Sequence, residues 1–491
     1  MVDRRTRLTS GLIAALVCGS CGAAPIIDVE AAAPSTPAAV TVILAGDAML
    51  GRNVAPIVAA DPDGLFADVR HEIRRADIAA VNVESPLTDR PHTSLNPYAL
   101  EADPRSASLL AVAGFDVAGI ANNHAGDAGP MSVVDSVRAI SDAGMRAVGG
   151  GFGLSEAWTP VVVAAGSVNV AFLAIDGSRQ GLGAAPEQPG VASWDPERAR
   201  AAVLEARTRA DVVVVGLHGG VEYRTRPDPL LGPIADELAG MGVDVVWGHG
   251  PHVEQPITVT EPRSDGRRTL IATSLGNLIF DQHRPGTDTG VLLEVLVDRN
   301  GVVAHRVGET NTSDLRVHFD GWRPPDGDVA LVAGGLWSLD RVVDPVEPTV
   351  VVPPFSEGVI VDSAAGDLDG DGSNEVLVSY RHALRNYSTS QGPSLPTDSS
   401  GRSAHLGVVE VDGTPLWLSR RPPHAIGNVA ACDRAAAFAY TGLDDDTVVA
   451  TAAGTWSGFG FVLEEELPGP GRIGCADVDG DGSLDPVVLD R

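Results

Sequence analysis

Short apolar runs along this chain open, one after another, into polar clusters that contain glycine. Residues 40–44 lead into AGDAMLGR (45–52), 78–83 run into VNVESP (81–86), and 117–120 lead into ANNHAGDAG (121–129). Further on, 212–217 lead into GLHGGVEY (216–223) and 243–247 into WGHGPHVEQP (247–256). Continuous Val/Ile-rich segments of this length predict strands buried on both faces. Ala-rich stretches over 131–143, 196–209 and 230–241 lie between several of them and read as helices. The alternation predicts an α/β domain, and polar residues at its strand ends fall where such sheets build ligand or metal sites.

Composition narrows the setting. The 491 residues exceed one ordinary domain, so two or more are expected. The chain has no lysine, and its formal net charge of −30 argues against nucleic acid as a partner, because phosphate binding needs basic patches. At the N-terminus, Arg4, Arg5 and Arg7 precede a short apolar stretch over 8–17, too short to span a bilayer and typical of an export signal. The small pair Gly19-Ser20 before Cys21 resembles a bacterial lipobox, with Cys21 as the lipidated residue and Cys18 where Leu is usual. An Ala/Pro/Ser/Thr stretch over 31–39 reads as a tether. The expected location is therefore exported, either extracellular or held at the cell envelope by the signal or a lipid anchor. Of the remaining cysteines, Cys432 and Cys475 are open to pairing or to two buried thiols.

Asp47, Glu84, Asn123, His218, His249 and His252 bring carboxylates, an amide and imidazoles to the strand ends. That donor chemistry suits Mn, Zn or Fe, with a water becoming the nucleophile. Each residue alone has an ordinary structural reading, such as an Asp turn or a hydrogen-bonded His. Their ordered recurrence points to one shared site.

The ordered series GDAMLGR, NVESP, NNHAGDAG, HGGVEY, GHGPHVEQP and SLGNLIFDQ (274–282) resembles the capsule-synthesis CapA family, within the calcineurin-like metallophosphatase superfamily. The resemblance covers roughly 40–310 and implies a metallophosphatase-like αββα sandwich. It implies metal ligation by Asp47, Glu84, Asn123, His218, His249 and His252, with Glu84 in the bridging position. It also implies that His124 faces substrate as an acid or transition-state stabiliser, with Asp127, Arg52 and Glu222 lining or bracing the site. Three departures stand out: Met49 occupies the place of a His common in the first motif, Glu84 replaces a shorter Asp, and two residues rather than one separate His249 from His252. Asn277, in SLGNLIFDQ, is expected to have a structural or supporting role.

Beyond about residue 310 the pattern changes to Gly/Pro/Asp-rich short strands. DLDGDGSNE (367–375) and DVDGDGSLD (477–485) are near repeats whose acids alternate around a tight Gly turn, an arrangement that wraps oxygen ligands about Ca²⁺. Asp367, Asp369, Asp371 and Glu375 form one expected set, and Asp477, Asp479, Asp481 and Asp485 the other. The loops resemble those of FG-GAP or VCBS repeats, which implies a β-rich, propeller-blade-like region. A hairpin is expected over 408–418 around Asp412-Gly413. The chain thus divides into an export signal (1–21), a linker (22–39), an α/β domain (40–310), a connector (311–350) and a β-rich repeat region (351–491).

The CapA resemblance implies a role in poly-γ-glutamate or other capsule polymer metabolism, with that polymer or its synthesis machinery as partner. Three readings stay open at this point: a metal-dependent hydrolase of that process, a non-catalytic polymer-binding or export scaffold, and a metallophosphodiesterase unrelated to capsule.

Overall fold

Two sheets carry the strand-end clusters, and both are built where the apolar runs lie. A computed structural model describes residues 39–490 except 94–97, 228, 333–334, 344–357, 369, 384–401, 411–414, 419–424, 442–446 and 458–460. The expected signal, Cys21, nearly all of the tether, Asp369 and the Asp412-Gly413 tip lie outside the described residues.

In the first sheet, Val40–Ala48, Ile78–Val83, Val117–Gly119 and Arg146–Val148 run parallel in that order. Their side chains are almost wholly buried along the first three strands, as continuous apolar runs require. In the second sheet, Val168–Asp176, Val212–His218, Val245–His249 and Leu270–Ala272 run parallel, with antiparallel strands Val161–Ala165 and Ile257–Val259 at its edges.

Facing residues of the two sheets, among them Leu44, Phe172, Val214 and Trp247, share one buried cluster with the helices Arg70–Arg75, Ala107–Ala113 and Pro130–Asp142. The helices Pro196–Arg207 and Leu231–Gly240 cover the other face of the second sheet through Val203, Ala206, Leu238 and Ala239. The result is a mixed α/β domain with two sheets packed between helices. Helix starts follow local chemistry. Asp195 accepts hydrogen bonds from the backbone N–H groups of Glu197 and Arg198, and Pro196 fills the first helical position, where no N–H is missed.

The first sheet does not stop with the α/β domain. Next to Val40–Ala48 come the antiparallel strands Thr289–Asp298 and Gly301–Asn311. Gly335–Leu339 and Val329–Val332 follow, and then the last hairpin of the chain, Arg472–Ala476 with Asp485–Leu489. The 311–350 stretch therefore supplies strands that the chain's far end pairs with. Buried Glu294 bonds Arg75 and Arg306 at this junction, and the Arg306 guanidinium lies 4.0 Å from the Trp322 ring and 4.5 Å from the Trp337 ring.

The remaining β-rich region contains two four-stranded antiparallel meanders. One comprises Gly358–Gly366, Glu375–Ala383, Arg402–Glu410 and Pro415–Leu418. The other comprises Ala425–Cys432, Ala435–Thr441, Val448–Trp456 and Phe461–Pro468. A hairpin does join 402–410 to 415–418, as the alternation predicts. Cys432 and Cys475 form a disulfide that ties the second meander to the last hairpin. Among the described residues no helix is long and apolar enough to cross a membrane.

Candidate metal centre

The site lies at the C-terminal ends of the parallel strands, where segments from both sheets converge. Asp47 is fully buried near the end of its strand, and a register shift between Leu44 and Asp47 re-aims the backbone there. Gly46 is required by close approach: a Cβ at that position would lie 2.1 Å from the carbonyl oxygen of Gly276. The indole of Trp247 donates to the carbonyl of Ala45 at 2.8 Å, fixing one sheet against the other directly beneath the site.

Asp47 makes contacts on both carboxylate oxygens. Oδ1 accepts from Asn82 Nδ2 at 2.7 Å and lies 3.6 Å from His249 Nδ1. Oδ2 accepts from the Gly250 N–H at 3.1 Å and lies 3.4 Å from His252 Nδ1. Glu84, just past its strand, divides its oxygens in the same manner. Oε1 lies 3.7 Å from His218 Nε2 and 3.9 Å from His124 Nε2, whereas Oε2 lies 3.8 Å from His252 Nδ1. Asn123 Oδ1 is 2.8 Å from His218 Nε2. All six expected donors, Asp47, Glu84, Asn123, His218, His249 and His252, therefore meet in one place.

The longer His249/His252 spacing is absorbed by the backbone. Gly250 takes φ 106° and His252 takes φ 59°, a left-handed conformation that tightens the loop and turns His252 back toward Asp47. Met49 is fully buried in the apolar cluster, and its N–H donates to the carbonyl of Ile279.

Burial and the neighbouring charges shift the groups of this cluster in opposite directions. Burial opposes the charge of Asp47, but the hydrogen bond from His252 and the charges of His249, His252 and His218 outweigh it and hold the carboxyl well below its usual range. Burial drives Glu84 well above the usual range, against the pull of His252 and with reinforcement from Asp47, Glu222 and Asp127. Burial pushes His218 down to about 3 and His249 down to about 4. His252 goes the other way, to about 9, because the charges of Glu84 and Asp47 and a bond to Asp47 overcome its burial.

Three buried atoms of these six donors have no hydrogen-bond partner: Glu84 Oε2 and both ring nitrogens of His249. Orphaned polar atoms of this kind, set among carboxylates and imidazoles, fit a divalent cation. One donor atom from each of Asp47, Glu84 and His218 lies within 4.8 Å of the other two.

Beside the donors, His124 Nδ1 bonds Asp127 Oδ2 at 2.7 Å, so Nε2 is the ring atom turned toward Glu84. The loop is braced: Asn122 Nδ2 donates to the Val83 carbonyl, Asn122 Oδ1 accepts from the His124 N–H, and the carbonyl of Asp127 accepts from the Thr93 N–H. Arg52, at φ 46°, pairs through Nε with buried Asp281 at 3.2 Å. Glu222 is exposed at the rim.

One participant was not singled out by the motifs, and another was expected only in a supporting role. Asn82 is the register partner of Asp47 on the neighbouring strand and bonds it directly. Its signal in the sequence is a lone amide inside an otherwise apolar buried run. Asn277, expected only in support, has Oδ1 3.0 Å from His252 Nδ1.

The chain is similar in sequence to known proteins. The model of the bacterial capsule synthesis protein family PGA_cap matches residues 41–282. The PGA biosynthesis protein CapA of Bacillus subtilis (strain 168) is 32% identical over 261 residues, covering 52% of this chain and 67% of that protein. The capsule biosynthesis protein CapA of Bacillus anthracis is 31% identical over 271 residues, covering 53% of this chain and 64% of that protein, just under two thirds of its length. Among solved structures, a hypothetical protein from Thermus thermophilus aligns with a TM-score of 0.37 at 16% identity, over 55% of this chain and 98% of that one. The NAD nucleotidase of Haemophilus influenzae aligns with a TM-score of 0.36 at 10% identity, over 61% of this chain and 59% of that one. With the family model matching residues 41–282 and the Bacillus subtilis CapA protein 32% identical and covered over 67% of its length, the chain belongs to the bacterial capsule synthesis protein family PGA_cap.

Proposed function

We propose that this chain is an exported, envelope-tethered protein of poly-γ-glutamate or related capsule polymer biosynthesis, and that its α/β domain is a metal-dependent hydrolase or transferase. The observation that carries the chemistry is the set of buried polar atoms without a hydrogen-bond partner, Glu84 Oε2 and both His249 nitrogens, inside a convergent Asp/Glu/Asn/His cluster. Asp47, Glu84, Asn123, His218, His249 and His252 would hold divalent metal, with Glu84 offering one oxygen to each of two donor groups. When bound, the metal supplies Lewis acidity toward a phosphoryl or acyl oxygen and lowers the pKa of water.

The rest falls to the chain's own side chains. Asp127 holds His124 through Nδ1, so Nε2 is the atom placed to give a proton to a departing group. Burial of the strand ends excludes bulk water from the carboxylates and strengthens every charge interaction among them. Arg52, fixed on Asp281 with its side chain one-third exposed, is placed to receive an anionic part of the substrate at the rim.

In the C-terminal region, the DxDGDG loops act as Ca²⁺ sites in a repeat-like array. Support comes from Asp477, Asp479 and Asp481, whose oxygens lie within 4.8 Å of one another, and from Asp367, which accepts from the N–H groups of Gly370 and Gly372.

The deciding experiment is metal analysis of the purified chain followed by assays on γ-glutamyl polymer and on phosphodiesters. Metal-dependent turnover that is lost in His124→Ala while metal content is retained supports the hydrolase. Polymer binding without turnover by the metal-loaded native chain overturns it in favour of a scaffold. Turnover confined to phosphodiesters overturns the capsule assignment.

A further inference from the structure

Asn277 is buried completely, on the short strand Asn277–Ile279 that runs parallel to Val40–Ala48, and it is the register partner of Asp47. Its amide orientation is determined by its neighbours. Nδ2 donates to the backbone carbonyl of Thr287 at 2.8 Å and to Gln282 Oε1 at 3.2 Å. A carbonyl accepts and never donates, so the nitrogen must face Thr287, and Oδ1 must face His252.

That oxygen falls among the metal donors. His252 Nδ1 is 3.0 Å from Asn277 Oδ1, 3.4 Å from Asp47 Oδ2 and 3.8 Å from Glu84 Oε2. Donors about 2.1 Å from a first-row metal stand roughly 3.0 Å apart at right angles and roughly 3.4 Å apart at the tetrahedral angle. These three separations from one nitrogen therefore suit donors to a common cation. The other donor group, Glu84 Oε1, Asn123 Oδ1 and His218 Nε2, is likewise built around an amide oxygen held 2.8 Å from an imidazole nitrogen.

The Asp47 group is also where the chain lacks a side chain. Met49, two residues beyond Asp47, is withdrawn into the apolar cluster, and a thioether is a poor ligand for a hard divalent ion in any case. An amide oxygen delivered from the strand next to Asp47 fills that deficit without adding charge to a pocket that already buries two carboxylates.

We propose that Asn277 is a direct metal ligand, completing with Asp47, Glu84 and His252 the donor group from which Met49 is absent. This rests on the metal-centre reading above. The competing role is that of a simple acceptor, in which Oδ1 only receives the His252 Nδ1–H and fixes the ring.

The full-length chain is stripped with chelator and titrated with Co²⁺ in excess Ca²⁺, which masks exposed carboxylates. Native protein is compared with Asn277→Cys, Asn277→Asp and Asn277→Leu. Direct ligation predicts a sulfur-to-cobalt charge-transfer absorption in Asn277→Cys that native protein lacks. It also predicts binding by Asn277→Asp at least as tight as native, and weakening of one equivalent in Asn277→Leu beyond the ~10–100-fold that loss of an outer-shell partner costs. Uptake of Co²⁺ by Asn277→Cys with no sulfur band overturns the proposal, as does native stoichiometry and affinity in Asn277→Leu. Far-ultraviolet circular dichroism monitors folding. Where the leucine variant is unfolded, the cysteine and aspartate variants decide. Failure of native protein itself to bind Co²⁺ overturns the metal-centre reading, an outcome distinct from loss of Asn277 as a ligand alone.

Discussion

The chain presents two candidate cation sites that differ in how they are made. The α/β centre gathers its six expected nitrogen and oxygen donors from five separate segments into a buried pocket, whereas each C-terminal loop draws only carboxylates from nine consecutive residues. The first depends on long-range packing: removing Trp247, Gly46 or the turn at Gly250 would displace donors far apart in sequence. The second depends on local turn geometry, with Gly480 at φ 74° and Gly482 at φ 90° folding the acids toward one another. A divalent transition metal of intermediate to hard character suits the first, sulfur-free set, and a hard oxygen-seeking ion the second.

The largest effect that would break this contrast is expected at Glu84. Glu84→Gln should reduce divalent transition-metal affinity beyond the ~10–100-fold typical of an outer-shell partner. It should also stabilise the metal-free protein, because a buried, orphaned carboxylate is removed. Calorimetric titration and metal-free melting measure the two opposite signs. Calcium binding by the C-terminal loops should be unchanged.

Next in size is the disulfide. Cys432–Cys475 closes a sequence separation of 43 residues. Cys475→Ser is expected to lower the stability of the C-terminal region by about 3–4 kcal/mol, judged by loop-closure entropy. Transition-metal affinity at the α/β centre should stay within twofold. Scanning calorimetry with parallel metal titration checks both parts.

The two regions should also answer pH differently in chelator, because the α/β centre carries histidine shifts of both signs and the second loop a raised carboxyl. His218 and His249 have folded pKa values of about 3 and about 4, below the unfolded value near 6.5. Their contribution is full above about pH 6.5 and is lost as pH falls toward 4 and 3. His252, raised to about 9, contributes fully below about 6.5 and loses that contribution as pH rises through 9. In the second loop, burial and the charges of Asp479, Asp481 and Asp477 raise Asp485 to about 8. Its contribution is therefore full below the unfolded value near 3.9 and is lost as pH rises through 8. Ca²⁺ should restore the C-terminal region at pH 8 and leave the acid limb of the α/β domain unchanged. Domain-resolved hydrogen exchange across pH 4–9 would separate these responses, and an acid-labile C-terminal region would contradict the assignment.

The smallest effect is expected at Asp433, whose Oδ2 accepts from the Leu484 N–H at 2.9 Å and braces the second loop from the neighbouring meander. Asp433→Ala should cost about 1 kcal/mol locally. It should speed amide exchange over 477–489 and weaken calcium binding slightly, with no change at the α/β centre.

Much of this architecture was legible from periodicity. The buried strands leading to Glu84, His218 and His249, and the helices Pro130–Asp142, Pro196–Arg207 and Leu231–Gly240, emerge within two residues of their expected bounds. The strand Val40–Ala48 runs on past its apolar stretch to include Asp47 itself. Amphipathic spacing and capping act over a few residues, so the sequence carries them directly. Asn82 was less visible because a polar residue in a buried strand announces a partner without naming it. The role of Met49 was also obscure, since the motif shows which ligand is missing but not what stands nearby. The strand at 329–332 was hidden because one of its pairing partners lies about 150 residues away, at Asp485–Leu489.

The sequence by itself determined the strand–helix alternation, the inventory and order of metal donors, and the two acidic loops, because each arises from local pattern or covalent neighbourhood. Tertiary structure alone decided which donors face one another. It divided the oxygens of Glu84 between two groups, seated Asn277 beside His252 through the pairing of its strand with that of Asp47, and joined Cys432 to Cys475. Those relations are distances between residues remote in the chain, set by sheet register and interlayer packing, which no local pattern encodes.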